Sequence, residues 1–225
     1  MNAELASVRS GRADYTAAMT SASPRTFTLL RSGDYRRMRW KNGAGWTSEI
    51  LRVPDTEDWQ WRLSIADVEA DAQFSAFPGV ERELVLLEGN GIRLLFEDGA
   101  RHELLPPHDG LRFSGERPLA GELIDGPSRD FNLMWRRDAV DAQLWRRPLV
   151  GAMVIFVDPG ETWVMHLLAG QAHVSGDGDG DGGAGAGAIE RGDTAIFRDG
   201  GMRTRFALDG AGEALLIRIA AKGEI

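Results

Sequence analysis

From Thr26 onward the chain alternates in polarity with a period of two. Trp59, Trp61, Leu63 and Ile65 interleave with Gln60, Arg62, Ser64 and Ala66, the pattern of a β-strand with two unlike faces. Phe131, Leu133 and Trp135 interleave in the same way with Asp130, Asn132 and Met134. The run Thr47-Ser48-Glu49-Ile50-Leu51-Arg52-Val53 is strand-like and is closed by Pro54 and Asp55. Apolar runs at 84–87, 92–96, 150–157, 163–168, 194–197 and 215–219 add further strands, separated by turn signals such as Glu97-Asp98-Gly99 and Asp199-Gly200. Helical periodicity is scarce, and 67–74 reads as a turn or a short helix. Many short strands at this spacing predict an all-β sandwich or barrel.

A weak internal repeat refines that expectation. Leu86-Leu87-Glu88-Gly89 aligns with Leu167-Leu168-Ala169-Gly170, and Gly110-Leu111-Arg112-Phe113 with Asp193-Thr194-Ala195-Ile196-Phe197. The pieces Pro159-Gly160-Glu161, Gly170 and Arg191-Gly192-Asp193 resemble the punctuation of a cupin half: a hairpin glycine, then a Gly-Asp turn into a closing strand. The expected fold is a bicupin, with two cupin-like β-barrels or sandwiches in tandem. Its divisions are a disordered tail over 1–25, a first barrel over 26–140 and a second over 141–225. The second carries a flexible Gly/Asp-rich insert at 176–188.

Composition narrows the function classes. The 225 residues are 43% hydrophobic, enough for a sizeable core, and carry a net charge of -8. That balance argues against a nucleic-acid surface, which shows a basic stripe; Arg36-Arg37, Arg136-Arg137 and Arg146-Arg147 are short and scattered. Without cysteine, disulfides, zinc-thiolate sites and thiol nucleophiles are excluded. Residues 1–24 lack the apolar core of a secretory signal, and no apolar run approaches the ~20 residues of a membrane span. A cytoplasmic protein with no membrane or nucleic-acid partner is expected.

The densest chemistry lies in Trp40-Lys41-Asn42-Gly43-Ala44-Gly45-Trp46-Thr47-Ser48-Glu49-Ile50, a polar glycine loop feeding a strand. It is no phosphate cradle, because the lysine precedes the glycines and a strand follows rather than a helix. This stretch resembles the signature of the HutD/Ves family, with Ala44 where a third glycine is expected. Four further blocks in the family's order strengthen the resemblance: Trp61 to Ala66, Phe74 to Arg82, Phe113 to Glu116 and Asp130 to Met134. The resemblance covers roughly 26–135 and implies the bicupin fold. It also implies an association with bacterial histidine breakdown, in which such proteins sense or buffer a pathway metabolite. Urocanate and N-formylglutamate, both carboxylates, are the candidates.

Several catalytic arrangements find little support. A cupin metal site needs imidazoles converging from adjacent strands with a carboxylate. The four histidines, His102, His108, His166 and His173, form no His-x-His pair, and no metal or other cofactor is expected. The run Asp177-Gly178-Asp179-Gly180-Asp181-Gly182 starts like a calcium loop, but Ala188 stands where its bidentate glutamate belongs. No Gly-x-Ser-x-Gly elbow surrounds Ser64 or Ser75.

What remains is a polar set inside the family blocks: Lys41, Asn42, Glu49, Arg62, Ser64, Ser75, Arg82, Asp130 and Asn132. These residues either lie on a solvated outer face or line a pocket for a small carboxylate. In the second case Arg62 or Arg82 is the anchor, since a guanidinium grips a carboxylate through two parallel N–H bonds. A binding or regulatory protein is favoured. A metal-independent enzyme with Glu49 or Asp130 as base beside Lys41 or Arg62 is the alternative, and a scaffolding protein the third. The cupin likeness also admits a homodimer through edge strands.

Overall fold

The computed structural model describes residues 27–176 and 187–222, so the expected tail and most of the glycine-rich insert lie outside the described residues. Within them the chain is all-β, with a single 3-10 turn at Ser32–Asp34. The stretch 67–74, expected as a turn or short helix, is instead the end of the strand Trp61–Val68, a three-residue link and the short strand Ala72–Phe74. None of the described helices is long and apolar enough to cross a membrane.

Three sheets stack into layers. The middle sheet has the order β2 (Arg36–Arg39), β3 (Gly45–Val53), β4 (Trp61–Val68), β11 (Ser128–Arg136), β6 (Val80–Glu88) and β9 (Gly110–Ser114), all antiparallel. A smaller sheet orders β5 (Ala72–Phe74), β10 (Leu119–Leu123), β7 (Ile92–Phe96) and β8 (Arg101–Leu104). The third orders β1 (Phe27–Leu30), β15 (Thr194–Arg198), β13 (Glu161–Gly176), β16 (Thr204–Ala221) and β12 (Val140–Val157), with β14 (Gly187–Glu190) also paired to β13. The first strand, β1, therefore pairs with the second half of the chain, register Phe27↔Phe197 to Leu30↔Thr194, and not with the half that follows it.

The alternation read from the sequence explains the layering. Trp61, Leu63, Ile65, Phe131, Leu133 and Trp135 leave one face of the middle sheet and pack on Val164, Ile196, Leu215 and Ile217 of the third. From the opposite face Ala66, Val68, Leu84 and Leu86 pack on Ile92, Leu94, Phe96 and Leu119 of the small sheet. The third sheet also folds over a core of its own, around Met165, Val174, Phe197 and Phe206. Both faces of the middle sheet are covered, so its polar residues cannot all reach water. The glycines matched by the repeat share a role. Gly89 and Gly170 have φ of 100° and 81°, and a Cβ would meet Pro127 O at 2.6 Å or Ala211 O at 1.8 Å.

Candidate functional site

On the face towards the small sheet, cross-strand register arranges side chains in rows. Arg62, Met134 and Arg82 form one row, Ser64, Asn132 and Leu84 the next, and Ala66, Asp130 and Leu86 the third. The third row joins the apolar core with Ala66 and Leu86. Towards the first row the packing ends, and a cavity of about 500 Å³ opens. The solvated-face reading does not hold: Asp130 is 1% exposed, Ser64 2%, Arg82 4% and Asn132 8%.

Arg82 is held in an aromatic cage, its Cζ lying 5.7, 5.6 and 5.3 Å from the ring centroids of Phe74, Phe77 and Phe113. One long contact, Nη1 to Ser75 O at 3.4 Å, is its one hydrogen bond, and its buried Nε has none among the described residues. Burial pushes its pKa down to about 10, with Asp130 opposing and Arg62 adding, so it remains a cation at neutral pH. Asp130 is the converse. Burial pushes its pKa up to about 7, with Arg82 opposing and Asp67 adding. Both of its oxygens and Asn132 Oδ1 are buried without a hydrogen-bond partner among the described residues.

The other expected site residues fall into two groups. Arg62 lines the cavity, but its Nε donates to Glu49 Oε2 at 2.7 Å. Glu49 lies outside the cavity wall, 7% exposed, where it also pairs with Arg36 and meets Arg52 Nε at 3.8 Å. It therefore restrains arginines, and Arg62 is already engaged before any guest arrives. Of the two arginines expected as anchors, Arg82 is the less committed to partners within the protein.

Lys41 and Asn42 are exposed at the cavity rim. Their loop is shaped by its own backbone: Trp40 N–H donates to Gly45 O at 3.0 Å, and Gly43 N–H to Trp40 O at 3.0 Å. Asn42 Oδ1 accepts the Ala44 N–H at 3.1 Å, and Lys41 forms no ion pair with the described residues. Gly43 has φ 74°, and a Cβ on Gly45 would stand 2.3 Å from Asp67 O, so the first and third of the loop's small positions call for glycine, one by backbone conformation and one by space. Ser75 contributes its carbonyl to Arg82 and is otherwise exposed.

Sequence reasoning missed the apolar half of the site. Trp40 donates Nε1–H to Thr47 Oγ1 at 2.8 Å and meets Phe74 edge-on at 6.0 Å between centroids. Phe74 and Phe77 bracket Ser75 in the sequence, so the signal lies in the same family block. Of the histidines, His102 and His173 are exposed, and His108 Nδ1 lies 2.9 Å from Leu86 O. His166 is buried, with Nδ1 2.9 Å from Thr194 Oγ1.

Known proteins bear on this arrangement. An uncharacterized 21.2 kDa protein in the hutC 3' region of Pseudomonas putida is 45% identical over 118 residues, 52% of this chain and 62% of that protein. Protein Ves of Cronobacter sakazakii is 44% identical over 106 residues, 47% of this chain and 58% of that one. The chain thus spans about three fifths of the length of these curated relatives. The structure of HutD from Pseudomonas fluorescens SBW25, determined in a formate condition, superposes with a TM-score of 0.74 at 29% identity, covering 88% of this chain and all of that one. A cupin 2 conserved barrel protein from Leptotrichia buccalis, at 11% identity and TM-score 0.51 over 78% of this chain and 88% of that one, shares the fold alone. The HutD family model matches residues 32–216, and the chain belongs to the HutD family.

Proposed function

We propose that the protein is a non-catalytic binding protein of histidine utilisation, taking a small acidic metabolite such as urocanate or N-formylglutamate into the cavity beside Arg82. The carrying observation is the buried, caged and under-bonded Arg82 guanidinium. A cation held out of water with spare N–H groups is a strong anchor for a carboxylate, because charge-assisted bonds are strengthened in a dry site. The hutC-region relative and the HutD structure from a formate condition, formate being the simplest carboxylate, support the same direction.

Calorimetry of the purified protein against urocanate and N-formylglutamate tests the reading. Arg82→Met keeps the stem and removes the charge, and should weaken the tighter ligand by at least about 30-fold, since truncating a buried charged partner typically costs ~2–5 kcal/mol. Its unliganded stability should be unchanged or higher, because a buried unpaired charge is itself costly. Affinity retained within threefold would overturn the assignment. A second reading, a metal-independent enzyme, has one observation in its favour: Asp130 with a pKa near 7 is suited to general-base work. Product formation with the bound ligand, lost in Asp130→Asn, would replace binding by turnover.

A further inference from the structure

Asp130 stands two rows from Arg82 on the same face of the middle sheet, about 13 Å between Cα rows at ~3.3 Å per residue. No direct ion pair joins them. The cross-strand neighbours of Asp130 on either side are Ala66 and Leu86, neither of which carries a side-chain donor. Asp130 is 1% exposed, and both its oxygens lack a partner among the described residues; Asn132 Oδ1, one row nearer Arg82, lacks one as well. Buried acceptors are nearly always satisfied, so three in one wall require explanation. The wall shares its cavity with the caged Arg82 cation, which acts on Asp130 through space but makes no hydrogen bond or ion pair with either residue.

Resting on the carboxylate reading above, we propose that Asp130 and Asn132 form an acceptor wall that selects a guest by its N–H donors. The ligand class is therefore a carboxylate that also carries a hydrogen-bond donor, such as an amide or imidazole N–H, several ångströms from the acid group. Arg82 takes the acid end and the β11 wall takes the nitrogen end. A plain carboxylate leaves the wall unpaired, and above about pH 7, where Asp130 is ionised, a guest with an ether or ester oxygen facing it places acceptor against acceptor. Sites built to hydrogen-bond a polar group reject analogues that lack it far more strongly than apolar pockets reject a change of size.

The test uses matched pairs on the full chain at about pH 8, above the value of about 7 at which Asp130 gives up its proton. Urocanate is compared with 3-(1,3-oxazol-4-yl)acrylate, and N-formylglutamate with 2-formyloxyglutarate, which keep the carboxylates and replace N–H by oxygen. For the pair whose nitrogen member binds, the oxygen analogue should be weaker by at least about 30-fold. Asp130→Asn should weaken the nitrogen member by at least about tenfold, while the oxygen analogue changes by less than threefold. If both members of a pair bind within threefold of one another, the acceptor-wall inference fails and the carboxylate reading stands. If Asp130→Asn weakens both members equally, Asp130 acts on the pocket's shape and the inference fails likewise. If no compound of either pair binds, the carboxylate reading fails and this inference with it.

Discussion

Two buried polar clusters in this molecule differ in one respect: whether their hydrogen bonds are complete. Around Arg82, Asp130 and Asn132, charged and amide groups are buried with their bonding capacity open. At the seam of β1, β13 and β15 a second cluster is closed. Asp193, 3% exposed, receives Arg31 Nη1 at 2.7 Å and the N–H groups of Ser32 and Glu190 at 3.0 and 3.1 Å. Burial alone would raise the Asp193 pKa, but these donors outweigh it and hold the carboxylate below its usual range. The contrast separates two uses of buried polarity. A satisfied network fixes one arrangement of strands, here pinning β1 to the far half of the chain. An unsatisfied one lowers stability in the free protein, and on the binding reading proposed above it is a guest that completes it.

The largest effect expected from breaking this contrast is on the closed side. Asp193→Ala removes three bonds at once and leaves two backbone N–H groups unpaired, so unfolding free energy should fall by about 3 kcal/mol. Ligand affinity should not move beyond threefold; a matching loss of affinity in folded protein would mean the two clusters are coupled. Next in size is the pH response of the open side. Asp130 keeps its proton up to about pH 7 when folded and sheds it near 3.9 when unfolded. Between those values the folded state binds more protons, so this group's contribution to stability declines as pH rises, then levels off above about 7. Asp130→Asn removes the decline, and chemical denaturation should show it gaining ~2–3 kcal/mol on the wild type between pH 5 and pH 7. A difference that is flat with pH would show that Asp130 is ionised in the free protein.

Much of this was legible in the sequence, and what was not has a physical cause. Alternation at 59–66 and 130–135 placed Arg62, Ser64, Asp130 and Asn132 on one face, where the structure has them. Alternation reports which residues share a face, not what covers it, so the small sheet that buries that face could not be read from it. Glu49 and Arg62 were candidate ligand contacts by charge, yet only three-dimensional register shows Glu49 opposite Ser64 and gathering arginines. The pairing of β1 with β15 joins residues more than 160 positions apart, and no local pattern encodes it. The aromatic cage was hidden for a different reason: Phe74 and Phe77 look like ordinary core residues until the cation between them is located.

The smallest prediction tests the closed cluster at its centre. Tyr35 hydroxyl contacts Gly192 O at 2.7 Å, where only the tyrosine can donate. Its oxygen is 2.8 Å from Thr194 Oγ1, so Thr194 must donate there. With its one proton used, Thr194 accepts from His166, which places the imidazole proton on Nδ1. Burial, with Arg129 nearby, depresses the His166 pKa to about 4, and burial raises that of Tyr35 above its ordinary range, so both stay neutral through physiological pH. Thr194→Val keeps the shape and deletes the central hydroxyl, leaving His166 Nδ1–H without an acceptor. Stability should fall by ~1–3 kcal/mol, the cost of stranding buried polar groups, and urea denaturation measures it. Nitrogen NMR of His166 should show the Nδ1–H tautomer in the wild type and a mixture or the Nε2–H form in the variant. The Nε2–H tautomer already dominant in the wild type would mean the relay runs in the other direction, which the Gly192 carbonyl forbids.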